Sequence, residues 1–283
     1  MSFILRYVGL GILATAVAVG LASFFTSLAE ARTVSLSSDN LIVLNGPIND
    51  ASASEAILEV RRLNDKSTKE PIYLFLATPG GEIEAGLAMV ESLKGSQRPV
   101  VTITQFAASM GFQLVQQLGD RYILSSGVLM SHHARGAVSG EFGGPGISQL
   151  QSRIGMWERR VLRLDKDTVA RTKGKQTLAS YQSAYDHEMW VSGPEAVDQG
   201  YADEVVVVTC DKSLSGKKTK EASLLGGLIH VKYKIANCPL DLSPSEIETS
   251  NVKDNTDGLE AIINQFKQDY QNTQTRVIPM EFK

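Results

Sequence analysis

Ile72-Tyr73-Leu74-Phe75-Leu76-Ala77-Thr78-Pro79-Gly80-Gly81 is the stretch whose reading decides the fold. Ile72 to Leu76 are continuously apolar and β-prone, which suits a strand buried on both faces of a sheet. Pro79-Gly80-Gly81 stops that strand. Ile83 to Leu93 follows with helical spacing, and Gly86 and Ala88 are small enough for close packing. Working outward, Leu41 to Leu44 is a short strand closed by Asn45-Gly46-Pro47. Ser52 to Leu63 carries a helical stripe of Ala56, Ile57, Val60 and Leu63. Val100 to Thr104 reads as the next strand and Ser109 to Leu118 as the next helix. Arg121 to Leu124 and Val128 to Met130 read as two further short strands, and Glu204 to Thr209 as the last. Strand alternating with helix predicts an α/β fold with right-handed crossovers around a largely parallel sheet.

The remaining segments are less periodic. Ala134 to Gly146 holds five glycines and reads as a loop or loose hairpin. Ile147 to Thr172 reads as a long amphipathic helix with Ile154, Trp157, Val161 and Leu164 on one stripe. Leu224 to Ile235 suggests a strand pair or a short apolar element. Pro239 to Gly258 is polar and reads as a linker or a disordered stretch, and Leu259 to Tyr270 as a helix with a docking face.

The first residues read as a targeting segment. Arg6 supplies the positive start, Val8 to Phe25 are apolar or small, and Ala29-Glu30-Ala31 has the form of a cleavage site. Residues 1–31 are therefore expected to be a signal peptide, or a membrane anchor if uncleaved. Either reading places the bulk of the chain outside the cytosol, in the periplasm or secreted. Residues 32–209 form the expected main domain and 210–283 a C-terminal extension. Cys210 and Cys238 are the only cysteines, and an even count in an oxidising compartment suggests a bridge between them. Closing that loop of about 28 residues would contribute about 3 kcal/mol. No Cys-x-x-Cys spacing is present, so a metal site is not expected. A net charge of -3 argues against a nucleic-acid surface. The basic run Lys217-Lys218-Thr219-Lys220 reads as a solvated loop.

Four short pieces carry chemistry together: Thr78-Pro79-Gly80-Gly81, Ala107-Ala108-Ser109-Met110-Gly111, Met130-Ser131-His132-His133, and Trp190 to Ala196. Ser109 sits at a strand-to-helix junction, where free backbone N–H groups and the helix dipole favour negative charge. The same position would also suit a plain helix cap. Gly80 and Gly81 end a neighbouring strand, so bare N–H groups can face a ligand there. Histidine is the usual base for a serine nucleophile. His132 and His133 follow the apolar segment beside Ser109, and adjacent residues at a strand end point oppositely, so one of them faces the serine. The pattern does not choose between them. His187 and His230 stand outside the core pattern. A carboxylate is needed to orient the imidazole, and Asp186 and Glu188 are candidates that share a face if their stretch is extended.

Leu41 to Asp203 resembles the proteolytic subunit of the Clp protease and its relatives in the crotonase-like superfamily. The resemblance is carried by Leu44-Asn45-Gly46-Pro47-Ile48-Asn49-Asp50, by Ile72 to Gly81, by Gln105 to Gly111, and by Met130-x-His132. It implies a fold of repeated β-β-α units. It implies Ser109 as nucleophile, His132 as base, and Gly81 with Met110 as oxyanion-hole donors. Counting back four residues from Ser192 reaches Glu188 where the family carries an aspartate, and a two-residue shift would bring in Asp186. Crotonase-type enzymes acting on coenzyme A thioesters do not carry that serine.

The expected function is an ATP-independent serine peptidase with peptide or unfolded-protein substrates, no cofactor, no nucleic-acid partner and a homo-oligomeric state by analogy. Two departures bear on it. The glycine-rich loop after His133 is longer than the family pattern, and an exported protein has no ATP for an unfoldase partner. The competing expectation is an inactive binding or scaffold protein that kept the fold.

Overall fold

The structure, a computed structural model, describes residues 31–136, 146–224, 229–241 and 246–250. The targeting segment, most of the glycine-rich loop and the Leu259 to Tyr270 segment lie outside them. In chain order the elements are β1 (Arg32–Leu36), β2 (Leu41–Asn45), α1 (Asp50–Asn64), β3 (Ile72–Thr78), α2 (Ile83–Lys94), β4 (Val100–Ala108) and α3 (Met110–Gln117). They continue with β5 (Arg121–Ser131), α4 (Gly146–Arg171), α5 (Leu178–Tyr185), β6 (Met189–Ser192), α6 (Gly193–Asp198), β7 (Glu204–Cys210), β8 (Lys217–Leu224), β9 (Ile229–Ala236) and β10 (Glu246–Ser250). The main sheet runs β1-β7-β5-β4-β3-β2, and β6 pairs with β5 off that path. Pairs β2/β3, β3/β4, β4/β5 and β5/β7 are parallel, while β6 is antiparallel to β5.

The apolar β3 segment lies inside this sheet, between β4 and the edge strand β2. Leu74 and Leu76 enter a core shared with α1, α2 and α3, whereas Phe75 enters a second core on the opposite face with Val101, Ile103, Tyr122 and Val206. Each such fully buried side chain contributes about 2 kcal/mol. Local chemistry sets the helix starts. Asn49 caps α1, its Oδ1 accepting from the Ser52 N–H at 3.0 Å, while Ser52 Oγ accepts from the Asn49 N–H at 3.0 Å. Thr177 and Ser180 cap α5 in the same reciprocal way.

Several boundaries differ from the sequence reading. Arg121 to Ser131 is one continuous strand, because a register shift opposite Thr104 to Phe106 absorbs Ser125-Ser126-Gly127 without ending it. β4 extends four residues beyond Thr104, to Ala108, since it stays paired with both neighbours. The basic run Lys217 to Lys220 is not a loop but half of β8, paired with β9. The Pro239 to Gly258 stretch contains a strand, β10, which adds to β9. Cys210 and Cys238 are joined, with Cα atoms 5.9 Å apart, and both pack against the second core. The bridge ties the extension to the last strand of the main sheet. The described residues from Thr33 onward belong to one unit.

Candidate active site

β4 and β5 are parallel, so their C-terminal ends lie side by side, and the pairing of Ala108 with Met130 sets what meets there. Ser109 follows β4 directly and caps α3 with φ 56° and ψ -118°. That is a left-handed conformation for a residue with a Cβ, and holding it costs about 1–3 kcal/mol. Two contacts impose it. The Ser109 N–H donates to the Met130 carbonyl at 2.9 Å, and the Ser109 carbonyl accepts from Gln113 N–H at 3.2 Å as the helix begins. The side chain makes no capping hydrogen bond. The plain-cap explanation of this serine therefore has no bond to support it.

Gly80 and Gly81 face this junction for steric reasons. Both have positive φ, 89° and 150°. A Cβ on Gly80 would fall 2.7 Å from the Ser109 Cβ and 2.8 Å from the Met110 nitrogen, so only glycine lets the β3 turn approach the serine. Ile48 clasps the turn from the other side: its N–H donates to the Gly80 carbonyl at 2.8 Å and its carbonyl accepts from Glu82 N–H at 2.9 Å. In a parallel bridge the residue opposite, here Gly81, turns its own N–H away from the partner strand. Thr78 Oγ1 accepts the Gly80 N–H at 3.1 Å within the buried base of the turn. Met110 is the first residue of α3, where backbone N–H groups have no partner within the helix. Its side chain is wedged against Gly86, where a Cβ would lie 2.6 Å from Met110 Cε. The small residue noted at Gly86 is thus what lets α2 and α3 come together.

His132 and His133 separate as the strand alternation requires. His132 is half-buried, and its Nδ1 is buried without a hydrogen-bond partner among the described residues. An unmet buried polar atom costs about 1–3 kcal/mol. His133 is exposed, and its Nε2 lies 2.8 Å from Asp186 Oδ1. Its ring stands edge-on to Tyr185 at 4.7 Å. Asp186 is thereby engaged with His133.

The β5/β6 ladder ends at the pair Ser131 and Met189, so His132 and Glu188 are the next residues on the two chains beyond it. Glu188 has φ 68°, its N–H donates to the Tyr185 carbonyl at 3.2 Å, and its carboxylate lies 3.9 Å from the Arg135 guanidinium. The condition that Asp186 and Glu188 share a face of an extended stretch is not met. Asp186 ends α5 in helical conformation and Glu188 turns left-handed, because the chain must reverse direction between α5 and β6.

A buried polar layer beneath the histidines went unread in the sequence. Ser131 Oγ and Tyr181 Oη are 2.8 Å apart, both buried. The Tyr185 hydroxyl and Gln182 Nε2 donate to Asp165 Oδ2 at 2.6 and 2.9 Å. Burial pushes the hydroxyl pKa values of Tyr181 and Tyr185 well above the usual tyrosine range, with the Asp165 hydrogen bond adding to it at Tyr185. This layer ties α4 and α5 to the strand end that bears His132.

Among known proteins, the family model described as Clp protease matches residues 28–209. Curated relatives described as "ATP-dependent Clp protease proteolytic subunit" come from Streptococcus pneumoniae strains 70585 and Hungary19A-6. Each is 28% identical over 171 residues, covering 59% of this chain and 85% of the relative. The chain belongs to the Clp protease family, and its mixed α/β architecture with a mostly parallel sheet agrees with that membership.

Proposed function

We propose that this protein is an exported, ATP-independent serine peptidase in which Ser109 is the nucleophile, His132 the base and Glu188 the acid that orients it. The observation that carries this reading is the strained, uncapped Ser109 junction, pressed against a Gly-Gly turn and hydrogen-bonded to the strand that leads to His132. Ser109 Oγ attacks the peptide carbonyl carbon while His132 takes its proton. The tetrahedral oxyanion accepts hydrogen bonds from the Gly81 and Met110 N–H groups, each worth about 3 kcal/mol to the transition state. Collapse breaks the C–N bond, and His132 returns the proton to the leaving amine. Water then attacks the acyl-serine with His132 again as base, releasing the acid and restoring Ser109.

Glu188 is preferred over Asp186 because it adjoins the last β5/β6 pair as His132 does, whereas Asp186 is held by His133. Pairing of Glu188 with the open Nδ1 of His132 exchanges a loose, exposed contact with Arg135 for a buried charge-assisted one. Residues 1–31 direct export to a compartment without ATP, so the substrates are peptides or already unfolded chains. Assembly into a homo-oligomer uses α4, on which Ile147, Ile154, Met156 and Leu162 are exposed in the single chain.

A fluorophosphonate probe tests the reading. It should label the folded protein at Ser109, and Ser109→Ala should abolish labelling. An intact, folded sample that never labels would leave the inactive scaffold as the better description.

A further inference from the structure

β2 is the edge strand of the main sheet. Its ladder to β3 is bounded by Tyr73 N–H to Asn40 carbonyl and Gly46 N–H to Ala77 carbonyl. In a parallel ladder every second residue bonds to the neighbour, so Ile42 and Leu44 serve β3. Leu41, Val43 and Asn45 then direct their backbone N–H and carbonyl groups to the open side. Among the described residues no strand pairs with that side. Proteins normally cover or blunt such an edge.

Here the edge opens into a cavity of about 610 Å³, within the size range of ligand sites. β2 forms one wall, α1 another, and the C-terminal sheet with Tyr233, Ile235 and Cys238 the third. The Lys220 ammonium spans the cavity rim to Glu55 at 2.7 Å, and Arg62 is paired with Glu59 at 2.6 Å. Lys218 also lines the cavity and has no ion pair among the described residues. The cavity lining includes Gly46-Pro47, one residue before Ile48, which clasps the Gly80-Gly81 turn.

We propose that this cavity is a strand-addition site for an extended segment of the polypeptide substrate, carrying a carboxylate that meets Lys218. The identity of the occupant rests on the peptidase reading. An extended backbone is the group that complements alternating N–H and carbonyl groups, at the usual spacing of about 4.8 Å between strands. The unpaired ammonium selects an acidic side chain. A segment bound along β2 points at the residue that holds the oxyanion turn, so a long substrate is gripped at one place while it is cut at another.

The test uses the full-length Ser109→Ala chain, so that bound peptide is not cleaved, and binding is read without turnover. The probe is a fluorescein-labelled heptapeptide, Val-Thr-Val-Glu-Val-Thr-Val. Saturable binding is expected. Val43→Pro removes an outward N–H that β3 does not use, and should weaken binding at least tenfold. Lys218→Glu should weaken it by a similar factor, and a probe with Lys in place of Glu should restore part of that loss. A probe N-methylated at alternate residues should not bind. Unchanged binding to Val43→Pro and Lys218→Glu, or no saturable binding at all, overturns the proposal. Binding that emerges only after deletion of residues 251–283 also overturns it, because the occupant would then be this chain's own C-terminal segment. Loss of Ser109 labelling in the parent protein with binding intact would sink the peptidase reading alone.

Discussion

The two ends of β5 treat polar groups in opposite ways. At its start, Arg121 is almost fully buried and almost fully satisfied. Its Nε and Nη2 donate to the two Asp203 oxygens at 3.0 and 2.8 Å, Nη1 to Gln116 Oε1 at 2.7 Å, and Nη2 also to the Arg171 carbonyl at 3.1 Å. The Gln116 amide closes the network by donating to the Tyr201 carbonyl at 2.9 Å. At its other end, Ser109 is strained, His132 has an open buried nitrogen, and Asp186 and Glu188 are paired with His133 and Arg135 instead. The first end spends its polar groups on one another and thereby anchors β5 to β7, α3 and α4. The second leaves them unmet, which costs stability. A strand rigidly held at one end can carry such unmet groups at the other without unfolding.

The comparison breaks most directly by removing His132, the proposed base. His132→Ala should lower turnover by about 10³-fold or more, with melting temperature little changed or raised, since it deletes an unmet buried atom. His133→Ala should be mild. The reverse result would mean that His133 faces the serine.

The next largest effect belongs to the anchor. Arg121→Met leaves the Asp203 carboxylate and the Gln116 oxygen without their main partner, and should destabilise by about 3–5 kcal/mol in denaturant unfolding. A loss under 1 kcal/mol would show that this end is no more committed to stability than the other.

A sharper question concerns the acid. Glu188→Gln should lower turnover about a hundredfold and Asp186→Asn less than about threefold, because the exposed contact between Asp186 and His133 contributes little. Equal losses would mean that both carboxylates serve the histidine.

The smallest expected effect is on pH dependence. Burial alone would raise the Asp203 carboxyl, but hydrogen bonds and charge from Arg121, with Lys173 and the Arg121 backbone N–H, outweigh it and hold the pKa at about 2. A depressed folded pKa gives stability that is present above the unfolded value of about 3.9 and is lost as pH falls towards 2. The anchor should therefore lose about 2 kcal/mol between pH 4 and pH 2. Asp203→Asn should flatten that part of the stability curve, measured by urea unfolding at each pH.

While β1, α5 and β10 went unread and β5 was divided in two, the sequence by itself determined the alternation of strand and helix from β2 to the start of β5, the strand buried on both faces, and the short motifs around Ser109 and His132. It could do so because each depends on local periodicity, turn residues or a short motif. The tertiary structure alone decided three things. Pairing between β5 and β6, which joins residues more than fifty positions apart, brought the segment after Ser131 beside the one before Met189. A chain reversal after α5 sent Asp186 to His133. Packing of the C-terminal sheet turned a basic run that reads as loop into the wall of a cavity beside an open edge, because a strand's partners, unlike its propensity, lie elsewhere in the chain.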